Sequence, residues 1–168
     1  MRKAGQMDSH DKSIAEKAKH RALHLLEYMD RTEKNMRMKL AQGGYPQDVI
    51  DETIDFLKSY GYIDDQKYAY RYFNTHSQGK GRRRLFQELY QKGVHADQVQ
   101  EAWAQAALDD EIDERVSIRK LVEKKVGEQT ELSQKEYRRL TGFLARRGFE
   151  WEDILAVFEE KGICQQWE

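Results

Sequence analysis

The feature that most constrains this chain is an internal repetition centred on three glycines. The stretches MRMKLAQGGYPQDVIDETI, LFQELYQKGVHADQVQEAW and LTGFLARRGFEWEDILAVF align on Gly44, Gly93 and Gly148, spaced 49 and 55 residues apart. Eight residues before each glycine stands Met36, Leu85 or Leu140, and four before it Leu40, Leu89 or Leu144. Directly after it come Tyr45, Val94 and Phe149, then an acid at Asp48, Asp97 and Glu152. Six and ten residues after the glycines are Ile50, Val99 and Ile154, then Ile54, Trp103 and Phe158. Tandem copies of one supersecondary unit account for this agreement.

The spacing has a physical reading. Apolar residues four apart on both sides of the glycine mark two helices with apolar faces. A glycine at the join accepts the left-handed backbone that ends a helix, because it has no Cβ to clash. The acid four residues on falls in the first turn of the next helix, where the dipole favours it. Pro46 is expected at a first helical position. Trp103, Ile54 and Phe158 are expected to face the core of their own unit.

A third helix precedes each pair. Ser13-Ile-Ala-Glu16 reads as a capping box followed by Ile14, Ala18, Ala22, Leu25 and Met29 at helical spacing. Asp64 and Asp65 cap a helix that presents Ala69, Tyr72, Phe73 and His76. Asp109 and Asp110 open another, with Ile112, Val116, Leu121, Val122 and Val126 as its stripe up to Gly127. A second capping box, Ser133-Gln-Lys-Glu136, starts the helix leading to Gly148. The expected fold is all-α: three tandem three-helix repeats in an elongated, curved array, with no strand signal. The expected division is a disordered tail at 1–11, repeats at 12–62, 63–109 and 110–162, and a C-terminal tail at 163–168.

Composition supports thin local cores. Of 168 residues, 39% are hydrophobic and 35% charged, against typical values near ~45–50% and ~25%. The net charge of −1 hides an alternation. Residues 1–44, 45–66, 67–93, 94–115, 116–149 and 150–168 carry net +4, −5, +6, −6, +5 and −5. The first two helices of each unit are basic and the third is acidic, so stacked units can join their basic faces into a surface for an extended anion. The single cysteine, Cys164, forbids an intramolecular disulfide and a cysteine-rich zinc site. No apolar run is long enough for a membrane span, and the N-terminus lacks the apolar stretch of a signal peptide. A monomeric cytoplasmic protein is the expectation.

The sharpest local motif is Gly79-Lys80-Gly81-Arg82-Arg83-Arg84. Cations at a helix N-terminus oppose the dipole, so helix stability does not call for them there. Free N–H groups and arginines together suit a phosphate or carboxylate. It is not a P-loop, since the G-x-x-x-x-G-K-[ST] spacing is missing. Further candidate contacts are Arg71, near Tyr68, Tyr70 and Tyr72, and the pairs Arg138-Arg139 and Arg146-Arg147. Tyr72 fits the core stripe better than a base-stacking role, while Tyr70 is expected to be exposed. His20 and His24 stand four apart near Glu27, but no further ligand set accompanies them. His10, His76 and His95 show no partner pattern. No catalytic arrangement, metal site or cofactor is indicated.

Several stretches resemble the RecX regulators of the bacterial RecA recombinase. They are GYIDDQKYAYRYF (61–73), GKGRRRLFQELYQKGV (79–94), RRLTGFLARRGFEWEDI (138–154) and the opening MRMKLAQGGYPQDVIDETIDFL. The resemblance covers roughly residues 14–160. It implies three three-helix repeats in a curved shape and a non-enzymatic negative modulator. Such a protein binds RecA and its filament on single-stranded DNA, with double-stranded DNA as a further target, and suppresses strand exchange, ATP hydrolysis and co-protease activity. The family often has Gly-Pro-x-[RK]-[IL] where this chain has Gly81-Arg82-Arg83-Arg84-Leu85, so a helix-starting proline is replaced by a cation. The competing reading is a free-standing DNA-binding module.

Overall fold

The computed structural model describes residues 9–109 and 112–166, with side chains from residue 13 onward. Nine helices run through the described residues: α1 (Ser9–Tyr28), α2 (Glu33–Gln42), α3 (Gln47–Ser59), α4 (Asp65–His76), α5 (Arg82–Gln91), α6 (Ala96–Leu108), α7 (Glu114–Val126), α8 (Gln134–Arg146) and α9 (Trp151–Lys161). They group in threes, and the closely packed helix pairs lie within a triplet. In each unit the first and third helices pair and the second packs against them.

The aligned glycines behave as their pattern requires. Gly44, Gly93 and Gly148 have φ of +82°, +87° and +91°, a region that penalises any Cβ. The chain then turns so that Tyr45, Val94 and Phe149 donate back to the carbonyls of Leu40, Leu89 and Leu144. Each following helix carries its acid in the first turn. Pro46 sits one residue earlier than expected, at the N-cap of α3.

Three separate cores result. Ala22, Leu25, Met36, Leu40, Ile50, Ile54 and Leu57 fill the first unit, with Ile63 from the connection to α4. Phe73, Leu85, Phe86, Leu89 and Val99 fill the second, and Ile118, Val122, Leu140, Leu144, Phe149, Ile154 and Phe158 the third. Small cores of this kind leave stability dependent on contacts between neighbouring units.

Several local expectations need correction. Ser13 lies inside α1, which already starts at Ser9, so the Ser13–Glu16 pattern caps nothing. Met29 falls beyond α1 and is 58% exposed. Asp109 ends α6 instead of opening α7, accepting from Tyr70 Oη and Gln105; Asp110 lies outside the described residues. Asp113 is the true N-cap of α7, accepting from the N–H groups of Arg115 and Val116. Ile118, not Val116, anchors that helix in the core, because the helical stripe runs through 118 and 122. Ser133 and Glu136 do form the expected reciprocal capping box. A strand pairing also exists: Glu131–Leu132 (β1) pairs in parallel with Cys164–Gln165 (β2), beside the start of α8. Ile163, assigned above to a tail, is buried in the third core.

Candidate nucleic-acid and partner interface

The arginine motif sits where the second unit meets the third. Gly81 is the N-cap of α5 and offers no side chain to the N–H groups at the start of the helix. The neighbouring unit supplies the acceptors. Gly81 N–H donates to Arg147 O at 2.8 Å, Arg82 N–H to a Glu114 carboxylate oxygen at 2.7 Å, and Arg83 N–H to Gly148 O at 3.2 Å. The anion at this helix start is therefore Glu114, built into the protein. This corrects the expectation that the N–H groups of Arg82 and Arg83 await a phosphate. Burial pushes the Glu114 carboxyl above its usual range, partly offset by the Arg82 N–H.

The side chains of the motif are also engaged. Arg83 donates to Ala145 O at 2.6 Å, and Arg82 lies over the Phe86 and Trp103 rings at 4.9 and 5.7 Å. Trp103 is partly buried, edge-on to Phe73 and Phe86. Lys80 and Arg84 both pair with Glu88, at 2.9 and 3.2 Å, and Tyr72 Oη donates to the same carboxylate at 2.6 Å. Burial alone would raise the Glu88 pKa, but these three donors outweigh it and hold it at about 2. Burial and the Glu88 contact push the Tyr72 phenol up.

The remaining sequence candidates divide. Arg147 donates to Gly79 O at 3.0 Å and lies over Phe143, so it belongs to the same joint. Arg71 pairs with Asp30 at 2.8 Å across the first two units. Arg138, Arg139 and Arg146 are different. They are exposed, line one open depression on α8 with Lys135 and Gln134, and make no ion pair or hydrogen bond through their side chains among the described residues. Three arginines and a lysine on one helix face, with the capping-box Glu136 beside Arg139, form a focused positive surface that suits phosphate.

The first and second units meet by a related joint that sequence reasoning missed. Asp65, the first residue of α4, accepts from Glu33 N–H, the first residue of α2, at 2.9 Å. Glu114 stands at the same place in α7. An acid at a helix start is ordinarily assigned to its own helix, and the sequence carries no signal that these two cap a neighbour's. Burial raises the Asp65 pKa, and the Glu33 N–H opposes that shift. Thr32 Oγ1 donates to Lys92 O at 2.8 Å, and Lys34 Nζ to Gln91 O at 3.3 Å.

Among the described residues the histidines bring no metal site together. His24 contacts Glu27, His76 stacks on Tyr72, and the side chain of His10 lies outside the described residues. Among the described residues no group of three His, Cys, Asp or Glu side chains is placed to hold a metal, and no helix is long and apolar enough to cross a membrane.

Comparison with known proteins follows the three units in order. Residues 18–57, 64–102 and 113–158 match the RecX first, second and third three-helix domains. The Regulatory protein RecX of Clostridium perfringens is 32% identical over 140 residues, covering 81% of this chain and 64% of that protein. That of Clostridioides difficile is 30% identical over 146 residues, covering 86% and 68%. That of Bacillus subtilis is 35% identical over 144 residues, covering 84% and 53%. The chain thus spans about half to two-thirds of the length of these relatives. The crystal structure of RecX from Lactobacillus salivarius superposes with a TM-score of 0.77 at 22% identity, over 89% of this chain and 97% of that one. A second crystal structure of regulatory protein RecX gives 0.76 at 22% identity, over 95% and 83%. With three family domains in their proper order on three matching helical units, the chain belongs to the RecX family.

Proposed function

We propose that this chain is a negative modulator of RecA. It binds the filament that RecA forms on single-stranded DNA and lowers its recombinase, ATPase and co-protease activities. It works as a cytoplasmic monomer with no catalytic step of its own. The observation that supports this reading most is the presence of all three RecX domains in one chain, whose relatives are named regulatory proteins. Within it, Arg138, Arg139 and Arg146 are the phosphate-facing cations, because their side chains make no ion pair or hydrogen bond among the described residues and Arg139 alone feels an acid, Glu136, at a distance. Arg82, Arg83, Arg147 and Lys80 act first as parts of the joint and of the Glu88 cluster.

RecA ATPase on single-stranded DNA, titrated with this protein, tests the reading. Inhibition is expected at concentrations well below those that coat the DNA. Inhibition only at coating concentrations overturns it in favour of a free-standing DNA-binding module. Replacing Arg138, Arg139 and Arg146 by Ala is expected to leave the melting temperature within a degree or two and weaken inhibition, with a loss of up to about three units of log–log salt slope in direct DNA binding. Unchanged inhibition by this triple variant removes the α8 face from the contact surface.

A further inference from the structure

The joint between the first two units leaves a groove of about 570 Å³ beside it, which the regulatory reading does not use. Its lining combines two kinds of surface. Met29 and Met38 are 58% and 47% exposed and belong to none of the three cores. Two exposed methionines facing one groove form a flexible apolar floor, the sort of surface that adapts to an incoming side chain. Tyr68 closes the floor from the second unit.

The rim is positive. Arg31, Lys34 and Lys92 line the groove, and none of them faces a carboxylate partner among the described residues. Arg31 donates to Leu25 O and to the Asn35 side-chain oxygen, and Lys34 to Gln91 O. Lys92 lies over the Tyr72 ring at 5.6 Å. These are neutral acceptors and a ring face, so three positive charges remain uncompensated. The acid in the lining, Asp30, is already paired with Arg71 at 2.8 Å.

We propose that this groove docks an acidic peptide segment of a partner protein, one that carries large apolar side chains between its carboxylates. The apolar side chains rest on Met29, Met38 and Tyr68 while the carboxylates meet Arg31, Lys34 and Lys92. Charge complementarity selects acid over base, and the methionine floor selects a peptide over nucleic acid. Bases stack on open aromatic faces. The aromatic ring in this groove, Tyr68, is already stacked against Tyr72, with centroids 6.2 Å apart and planes at 19°. The inference stands independently of the RecA reading.

The test measures fluorescence anisotropy with the full chain and three labelled probes. They are a peptide of roughly 12 residues alternating Asp or Glu with Leu and Phe, the same peptide with Lys for every acid, and oligo(dT) of matched length. The acidic peptide is expected to bind and the basic one not. Two exposed positions that take no part in the joint, Met29→Asp and Met38→Asp together, are expected to weaken the acidic peptide about tenfold or more with an unchanged melting temperature, because they put like charge on the floor. Arg138→Glu with Arg139→Glu is expected to leave that affinity unchanged. The inference is overturned if the acidic peptide does not bind, if its affinity ignores the Met29 and Met38 substitutions, or if those substitutions weaken oligo(dT) and not the peptide.

Discussion

The two joints between units use one device at two distances. In both, an acid that opens a first helix takes the N–H at the start of the preceding unit's second helix: Asp65 for Glu33, and Glu114 for Arg82. Around that bond they differ. Between the second and third units backbone meets backbone, with Gly81 and Arg83 donating directly to Arg147 and Gly148. A Cβ added at Gly81 would lie 2.3 Å from the Gly148 carbonyl carbon. Between the first and second units Thr32 holds the place of Gly81, and its hydroxyl spans the gap to Lys92 O. The residue before the helix therefore decides the closeness of the joint. A glycine lets two backbones touch, whereas a threonine props them apart and leaves the methionine groove beside it.

Gly81→Ala is the substitution expected to do most. Gly81 has φ of −84°, which alanine adopts freely, so its cost comes from contact alone. The opposing atoms are backbone and cannot swing away, so a loss of about 3 kcal/mol or more is expected in thermal or chemical unfolding. An alanine variant as stable as wild type would break the distinction between the joints.

The aligned glycines sharpen it. All three have positive φ, so Gly→Ala at each should cost about 1 kcal/mol for conformation. At Gly44 nothing lies within 4 Å of the added Cβ, and that is expected to be the whole effect. At Gly93 the neighbour is the Lys34 side chain, which can move at some cost. At Gly148 it is the Arg84 backbone nitrogen at 2.5 Å. Melting temperatures should therefore fall in the order Gly44→Ala, Gly93→Ala, Gly148→Ala, with the last lowest. Equal shifts would show that closeness plays no part.

Thr32→Ala should cost less than Gly148→Ala, about 1–2 kcal/mol, since it removes the cap to Asn35 N–H and the hydroxyl bond to Lys92 together.

The smallest effects belong to the two acids. Asp65→Asn and Glu114→Gln each keep an oxygen for the crossing N–H, so at neutral pH stability is expected to stay within about 1 kcal/mol of wild type. Their pH dependence carries the information. Both carboxyls are raised in the folded state, so folding binds protons, and wild type gives up stability as pH rises from the ordinary carboxylate range through the folded values. Each substitution should remove its share of that decline, as followed by melting temperature from about pH 4 to pH 7. A decline that persists in both variants would place its origin elsewhere. Glu88 has the opposite sign: its stabilisation is present above the ordinary value and lost as pH falls toward about 2.

Much of the scaffold was legible in the residues. Glycine spacing with apolar positions four apart is a local signal, and the turns at Gly44, Gly93 and Gly148 follow it. The Ser133 box was equally readable. Ser13 shows the weakness of the same rule, since a capping pattern inside a longer helix looks identical until the helix start is known. The two-residue pairing of β1 with β2 is too short to show a period-2 pattern. The site was only half visible. Charge density found both arginine clusters, but only the fold tells which meets acceptors of its own. Arg83 and Arg147 reach carbonyls 62 and 68 residues away in sequence, and such pairings leave no local trace.

The start of each second helix gives the array a direction. α5 has no cap of its own and draws on the third unit for its acceptors, α2 draws in part on the second, and α8 closes itself through Ser133 and Glu136. Acceptors thus pass from each unit back to the one before it in the chain. The first and second units therefore wait for a successor before all the donors of α2 and α5 are met, whereas the third needs none for α8, so a growing chain is expected to firm up one unit behind its newest one.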